Sequence, residues 1–528
     1  MRILPCVPLV LCACLAAAAD KPPVAPKLPL GKDTTFVTGP LDSQGFIDYE
    51  AALNAEMGKG VTAEKNAAAL LVQVFGPAPE GGDGLPLDYF KWLDVPVPPK
   101  EGDYLVGITS FVRDHLGLTG ERLEAFFEEQ GRVVQRPWAA RDCAPMAEWL
   151  KANEKQLALA VEATKRPQYF NPLTSRRKPG EASNLIGSLL PTVQKCRELA
   201  TALAARAMLK LNGGNLDDAW ADLLACHRLG RLVSRGSTLI ESLVGIAIGQ
   251  IAHNSTLAVL EHPDLTSTRA RACLKDIQNL PPLPPLADKV GVAERMMGLD
   301  ALQLIRRTNG GGINGLAGIL GGARDPVLPD EKRLLEMTDW TTVMQTMNKW
   351  YDRLADALRM TDRDARLKAY EKLEDDFKAV KGKLDDPEKA KELMRELAKE
   401  KDGKAIGKVL GEVLMGLLSP ATQKVQQAHD RAAQVAANTE IALALAAYKK
   451  DTGKYPAKLQ DLAPNYLATV PNDLFSGKGL IWKPTEKGYL FYSVGANGKD
   501  DGGRWYDDEP AGDDPGVRVP LKPLKPRK

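Results

Sequence analysis

The densest set of oxygen ligands in the chain lies close to its C-terminus. Ser493, Asn497, Asp500, Asp501, Asp507 and Asp508 fall in one short stretch, interrupted by Gly495, Gly498, Gly502 and Gly503. Calcium takes about six to eight oxygens, from carboxylates, carbonyls and amides, and tolerates a flexible loop. Glycines let backbone carbonyls turn inward at low steric cost. These six residues are therefore the candidate ligands of a calcium ion. The competing reading is an acidic loop solvated by water, and the spacing is not that of an EF-hand.

The other reactive side chains are sparse. Five histidines occur in 528 residues, which lowers the expectation of histidine-based catalysis or zinc. His227, Glu241 and His253 fall on neighbouring predicted helices and are types that ligate metals or carry protons. Their spacing does not join them, so they read as satisfied core or surface residues. The sequence has no Gly-x-Ser-x-Gly and no His-Glu-x-x-His. The glycine-rich stretch 309–322 ends in Gly321-Gly322-Ala323-Arg324, without the Gly-Lys-Ser/Thr that a phosphate-cradling loop needs. It reads as a flexible loop, and a loop of that length can lie over a cleft. Arg176-Arg177-Lys178 could meet an anionic partner, but reads first as solvated loop. Cys143, Cys196, Cys226 and Cys273 all fall in helical patterns with no Cys-x-x-Cys. Free buried thiols are the expectation; two disulfides in any of three connectivities are the alternative.

Apolar periodicity supplies the elements that would position these groups. Residues 121–134 and 146–163 are amphipathic helical segments. Residues 185–211, the turn Asn212-Gly213-Gly214-Asn215, and 216–233 form a helical hairpin. The stretch 214–224 resembles a single tetratricopeptide-type hairpin, without a repeat period across the chain. Residues 238–260 are a nearly all-apolar, central helix, followed by a helix over 266–280. Residues 361–404 are dense in both charges, with Leu367, Tyr370, Leu373, Phe377, Val380 and Leu384 on one stripe. They predict a charged helical hairpin, either a spacer or a docking arm. Ser419-Pro420 opens a long helix that Gly453 closes, with small residues such as Ala428, Ala432, Ala442 and Ala446 on one face. Two aromatic-rich runs, 480–483 and 489–494, predict a β-hairpin.

Asp451-x-Gly453-x-Tyr455-Pro456, then Pro471-x-Asp473-x-Phe475, then Tyr492-Ser493-x-Gly495-x-Asn497-Gly498 resembles the C-terminal domain of type II secretion major pseudopilins. The resemblance covers about the last fifth of the chain. It implies a long helix packed on a small antiparallel sheet, and a late acidic loop that binds calcium. The chain departs from that family in two ways. It has no prepilin leader followed by a polymerising apolar helix, and Asn497 stands where the family carries Asp. The expectation is a pseudopilin-type module reused in a larger secreted protein.

Residues 1–19 read as a secretory signal peptide, with Arg2, an apolar run to Leu15, and Ala17-Ala18-Ala19 before the cleavage point. An alternative reading, from Leu11-Cys12-Ala13-Cys14, is a lipoprotein signal with a lipid anchor at Cys14. No later segment predicts a transmembrane span in the mature chain. A net charge of +2 gives no global attraction to nucleic acid. The expected organisation is a Pro/Lys-rich tether (20–35), an α-helical body (36–330), a charged helical region (331–418), the pseudopilin-like module (419–515) and a basic disordered tail (516–528). The fold class is mainly α: an irregular helical array, then a long helix on a small antiparallel β-sheet. The expected function is that of an exported, non-enzymatic interaction protein of the cell envelope or secretion apparatus, with protein partners of unspecified identity. The alternative is an exported hydrolase whose site lies in the helical body under 309–322.

Overall fold

The computed structural model describes residues 25–177, 181–188, 190–308, 331–382, 387–418 and 422–524. The signal-peptide reading, Cys14, most of the tether, Lys178, the loop 309–322 and the Ser419-Pro420 cap lie outside the described residues. The chain is 57% helical, and the described residues hold one three-stranded antiparallel sheet, so it is mainly α with a small β element.

Among the described residues the helices are, in order, α1 (Tyr49–Met57), α2 (Ala67–Phe75), α3 (Leu87–Leu93), a short helical turn over Ile108–Ser110 that runs into a π turn over Phe111–His115, α4 (Gly120–Val133), α5 (Ala144–Ala152), α6 (Glu154–Thr164), α7 (Pro191–Asn212), α8 (Leu216–Val233), α9 (Leu239–Val259) and α10 (Ser267–Gln278). Then come α11 (Leu286–Lys289), a π turn over Val290–Glu294, α12 (Arg295–Arg307), α13 (Glu331–Met337), α14 (Trp340–Arg359), α15 (Arg363–Lys381), α16 (Pro387–Lys399), α17 (Gly403–Leu418) and α18 (Thr422–Thr452). The strands are β1 (Ile481–Pro484), β2 (Tyr489–Tyr492) and β3 (Gly516–Val519), in the order β1-β2-β3.

Local chemistry accounts for the boundaries. Thr238 caps α9 and Glu241 reaches back to the Thr238 N–H, a reciprocal capping box. Asn215 caps α8 after the Gly213-Gly214 turn. Thr266 caps α10 through the Arg269 N–H. Replacing Thr266 by alanine should cost about 1 kcal/mol, read as a lower denaturant midpoint at unchanged m-value.

Two segments differ from the expectation. Residues 146–163 form two helices, broken at the buried Asn153, whose side chain accepts from the Val106 N–H and donates to the Trp149 carbonyl. A side chain committed to a distant backbone is invisible to periodicity. Residues 516–519, read from sequence as the start of a disordered tail, are strand β3, paired with β2 in the register Phe491↔Val517. Val517 and Val519 point inward on alternate positions while Arg518 stays exposed. The tail is also tied down beyond the strand: Arg136 donates to the Lys522 carbonyl and Leu521 N–H to Glu261.

One apolar core runs from α2 through α7, α8, α9 and α10 into α18 and the sheet. Leu203, Leu229 and Ile248 belong to the same cluster as Ile441, Leu445, Leu462, Tyr489, Phe491 and Val517. A second core joins α1, α12, α14 and α17 through Tyr49, Met296, Trp350 and Leu414. Among the described residues Cys196, Cys226 and Cys273 are free, buried thiols, and Cys143 is also buried. Leu239–Val259 and Gly403–Thr452 have the length and apolarity to cross a membrane, yet 56% and 53% of those windows lie buried inside the fold.

Candidate metal centre

The C-terminal loops hang from α18. Its Asn438 donates to the Pro515 carbonyl, and its Gln434 accepts from the Leu474 N–H. Asp473, only 2% exposed, ties the next layer. It accepts from the Phe475 and Val494 N–H groups and from the Ser476 and Ser493 hydroxyls. Ser493 is therefore committed to Asp473, at 2.5 Å, and is not a free ligand.

The six predicted ligands do not converge as a set. Asp500 accepts from the Tyr492 hydroxyl at 2.9 Å and the Gly502 N–H at 2.8 Å. Asp508 pairs with Lys522 and caps the Trp505 N–H. Asp507 is exposed at the edge of a neighbouring cleft. Asp501 alone joins a carboxylate cluster, and it does so with Asp513 and Asp514, two residues that the sequence reading did not single out. One carboxylate oxygen from each of these three lies within 4.8 Å of the others. Asn497 touches two of the three: its side chain donates to Asp501 and its N–H to Asp513, both at 3.1 Å.

The backbone brings the cluster together. Pairing of β3 with β2 places Asp514 beside the loop that leaves β2, and the Asp514 N–H donates to the Arg504 carbonyl at 2.9 Å. Gly495 adopts φ +65° directly against Asp513, where an added Cβ would sit 2.8 Å from the Asp513 carboxyl carbon. Only glycine fits that approach.

Asp514 is 1% exposed. One of its oxygens accepts from the Gly503 N–H, but the other, Oδ1, is buried with no protein partner, and so is Oδ1 of Asp513. Leaving a carboxylate oxygen buried and unpaired is costly. Burial first, then the negative charges of Asp501 and Asp500, push the Asp514 carboxyl up to about 6. Hydrogen bonds from Asn497 and the Asp513 N–H hold Asp501 below the usual carboxylate range. Arg504 approaches Asp501 at 3.5 Å, so three carboxylates face one guanidinium and the cluster carries a net negative charge. Three hard oxygen donors, two of them with an orphaned buried oxygen, match a hard divalent cation such as calcium. The residues that could hold such an ion are Asp501, Asp513 and Asp514.

The other candidates resolve differently. His227 and His253 do meet, with ring centroids 4.7 Å apart. Glu241 is elsewhere, accepting from Thr238 and Asn171. Arg176 is spent on Asp83 and the Gly84 carbonyl, and Arg177 on Asp48.

No family model, curated protein or solved structure matches this chain.

Proposed function

We propose that the chain is an exported, non-enzymatic interaction protein of the cell envelope or secretion apparatus, with a pseudopilin-like C-terminal region that binds calcium. The signal-like N-terminus supports export. The motif order from Asp451 to Gly498 supports the pseudopilin-like reading. The observation that carries the ion is the buried Asp514, with an oxygen unpartnered, beside Asp501 and Asp513. The ion would cross-link the β2 exit loop to the entry of β3 and hold that end of the sheet against α18.

The test is thermal melting of the full chain in calcium and in chelator, because the C-terminal elements share their core with the helical body. Calcium at about one hundred times its Kd should stabilise the native state by about 2.7 kcal/mol. Asp514→Asn should abolish that rise. The rise should also fade below pH about 6, where Asp514 gains a proton. Identical melts with and without calcium would retire the ion.

A further inference from the structure

A cleft of about 360 Å³ lies between the body and the C-terminal sheet, and α9, α18, β3 and the acidic loop all contribute to its walls. This size falls within the range of small-molecule sites, roughly 300–1,000 Å³. One wall carries carboxamides. Gln250 donates to Asn254 Oδ1 at 2.8 Å, one turn apart on α9. That bond leaves the Gln250 carbonyl and the Asn254 amino group, an acceptor and a donor side by side, without partners among the described residues. Gln135 extends the amide wall.

A second wall, from the acidic loop, is aromatic. Trp505 and Tyr506 pack with ring centroids 4.7 Å apart, and Tyr506 is 49% exposed. Arg518, exposed on β3, stands beside them with no ion pair among the described residues. A half-exposed tyrosine tilted against a tryptophan offers apolar ring surface, with the Arg431 guanidinium 5.1 Å from the tyrosine centroid. The amides and the Arg518 guanidinium in the same lining offer directional donors and acceptors.

The charges narrow the ligand. Asp507 and Asp514 also line the cleft, and Lys522 is paired with Asp508. Arg136 also lines the cleft but donates to the Gln135 and Lys522 carbonyls, so a polyphosphate or nucleic-acid strand would meet two carboxylates with Arg518 as the available cation, which disfavours it. A purely apolar ligand would bury the amides unpaired. A ring with one flat C–H face and a rim of neutral hydroxyls satisfies both walls.

We infer that this cleft is a binding site for a neutral, hydroxyl-rich saccharide, seated on Trp505 and Tyr506 and hydrogen-bonded by Gln250, Asn254 and Arg518. The inference rests on the reading of the chain as an exported interaction protein and supplies a ligand class for it. Its saccharide contacts are residues other than the proposed cation ligands, of which Asp514 alone also lines the cleft.

The test is calorimetric titration of the full chain with cellotetraose, mannotetraose and the tetramer of N-acetylglucosamine, with inorganic phosphate as the anionic probe. Each titration is run in calcium and in chelator, beside the melting experiment above, so that saccharide binding and ion binding are read separately. At least one tetrasaccharide should bind saturably. Tyr506→Ala and Asn254→Ala, both at exposed positions, should each weaken it at least about tenfold with an unchanged melting midpoint. Trp505→Phe, which keeps a ring, should weaken it less. Absence of binding by all three sugars would overturn the inference, as would binding undiminished in both alanine variants or preferential binding of phosphate.

Discussion

Gly245→Val should destabilise the chain by at least about 3 kcal/mol, the upper end of overpacking costs, whereas Gly249→Ala, one turn along the same helix, should be neutral or stabilising by up to about 1 kcal/mol. The two glycines face the same crossing of α8 and α9 but meet different surroundings. A Cβ at Gly245 would lie 2.5 Å from the Ser234 N–H nitrogen and 2.7 Å from the Gly230 carbonyl oxygen. Both are backbone atoms in α8 or its C-cap, so neither can rotate away. A Cβ at Gly249 meets nothing within 4 Å, and alanine there restricts the unfolded chain at no steric cost. Gly230 completes the contact from α8: its own Cβ would sit 2.9 Å from the Gly249 nitrogen. The helices thus approach backbone to backbone, and α9 has no slack to move outward. Paired urea melts of the two variants read the sign directly. Stabilisation in both variants would mean that helix propensity, not the crossing, governs these positions, and equal destabilisation would mean that the crossing is as tight at Gly249 as at Gly245. A displaced α9 would also shift Gln250 and Asn254, so Gly245→Val should weaken any ligand of the cleft they line.

How much of this was legible beforehand depends on the range of the interaction responsible. The α7–α8 hairpin and the apolar α9 were readable because their signals are local: Asn212-Gly213-Gly214-Asn215 between the first two helices, and a nearly all-apolar run over the third. The long helix, the β1–β2 hairpin and the mainly-α class were readable for the same reason. The acidic region was readable as a place, but not as a ligand set. Asp501 joins Asp513 and Asp514 only because β3 returns to pair with β2, and β3 was hidden by a Pro- and Lys-rich composition beginning at Pro520. The alternation of Val517 and Val519 was the available signal, and it spans too few residues to outweigh that composition. The bond that Ser493 makes to Asp473 was hidden for a related reason. Asp473 lies twenty residues upstream, in a motif whose role, tying two loops together, no spacing rule states. The split at Asn153 likewise depends on Val106, 47 residues away in sequence.

The meeting of His227 and His253 also could not be read from spacing, and it carries the largest expected effect. Their rings pack edge to face at the α8–α9 interface. His227 Nε2 is 2.9 Å from the Thr256 hydroxyl, and His253 Nδ1 is 2.9 Å from that of Thr439 on α18. Burial depresses both, His227 well below its ordinary value and His253 to about 3. The Arg231 charge adds to each, and the paired ring adds to His227. In the unfolded chain both rings take a proton as pH falls below about 6.5, while in the folded chain they stay neutral. The unfolded state then binds more protons, so stability falls as pH falls from about 6.5 toward 3. Each ring contributes about 1.4 kcal/mol per pH unit, so the pair should remove about 5 kcal/mol between pH 6.5 and 4.5. Glu241, Glu294 and Asp300 act in the opposite direction, because burial raises each of them and the folded state gains their protons first. The measurement must therefore be a difference. The slope of unfolding free energy against pH over that window should be about 5 kcal/mol shallower in total for the double variant His227→Gln, His253→Gln than for the natural chain. Parallel slopes would mean that the rings are hydrated or charged in the fold, and that the packing of α18 against α9 is looser than the Thr439 contact implies.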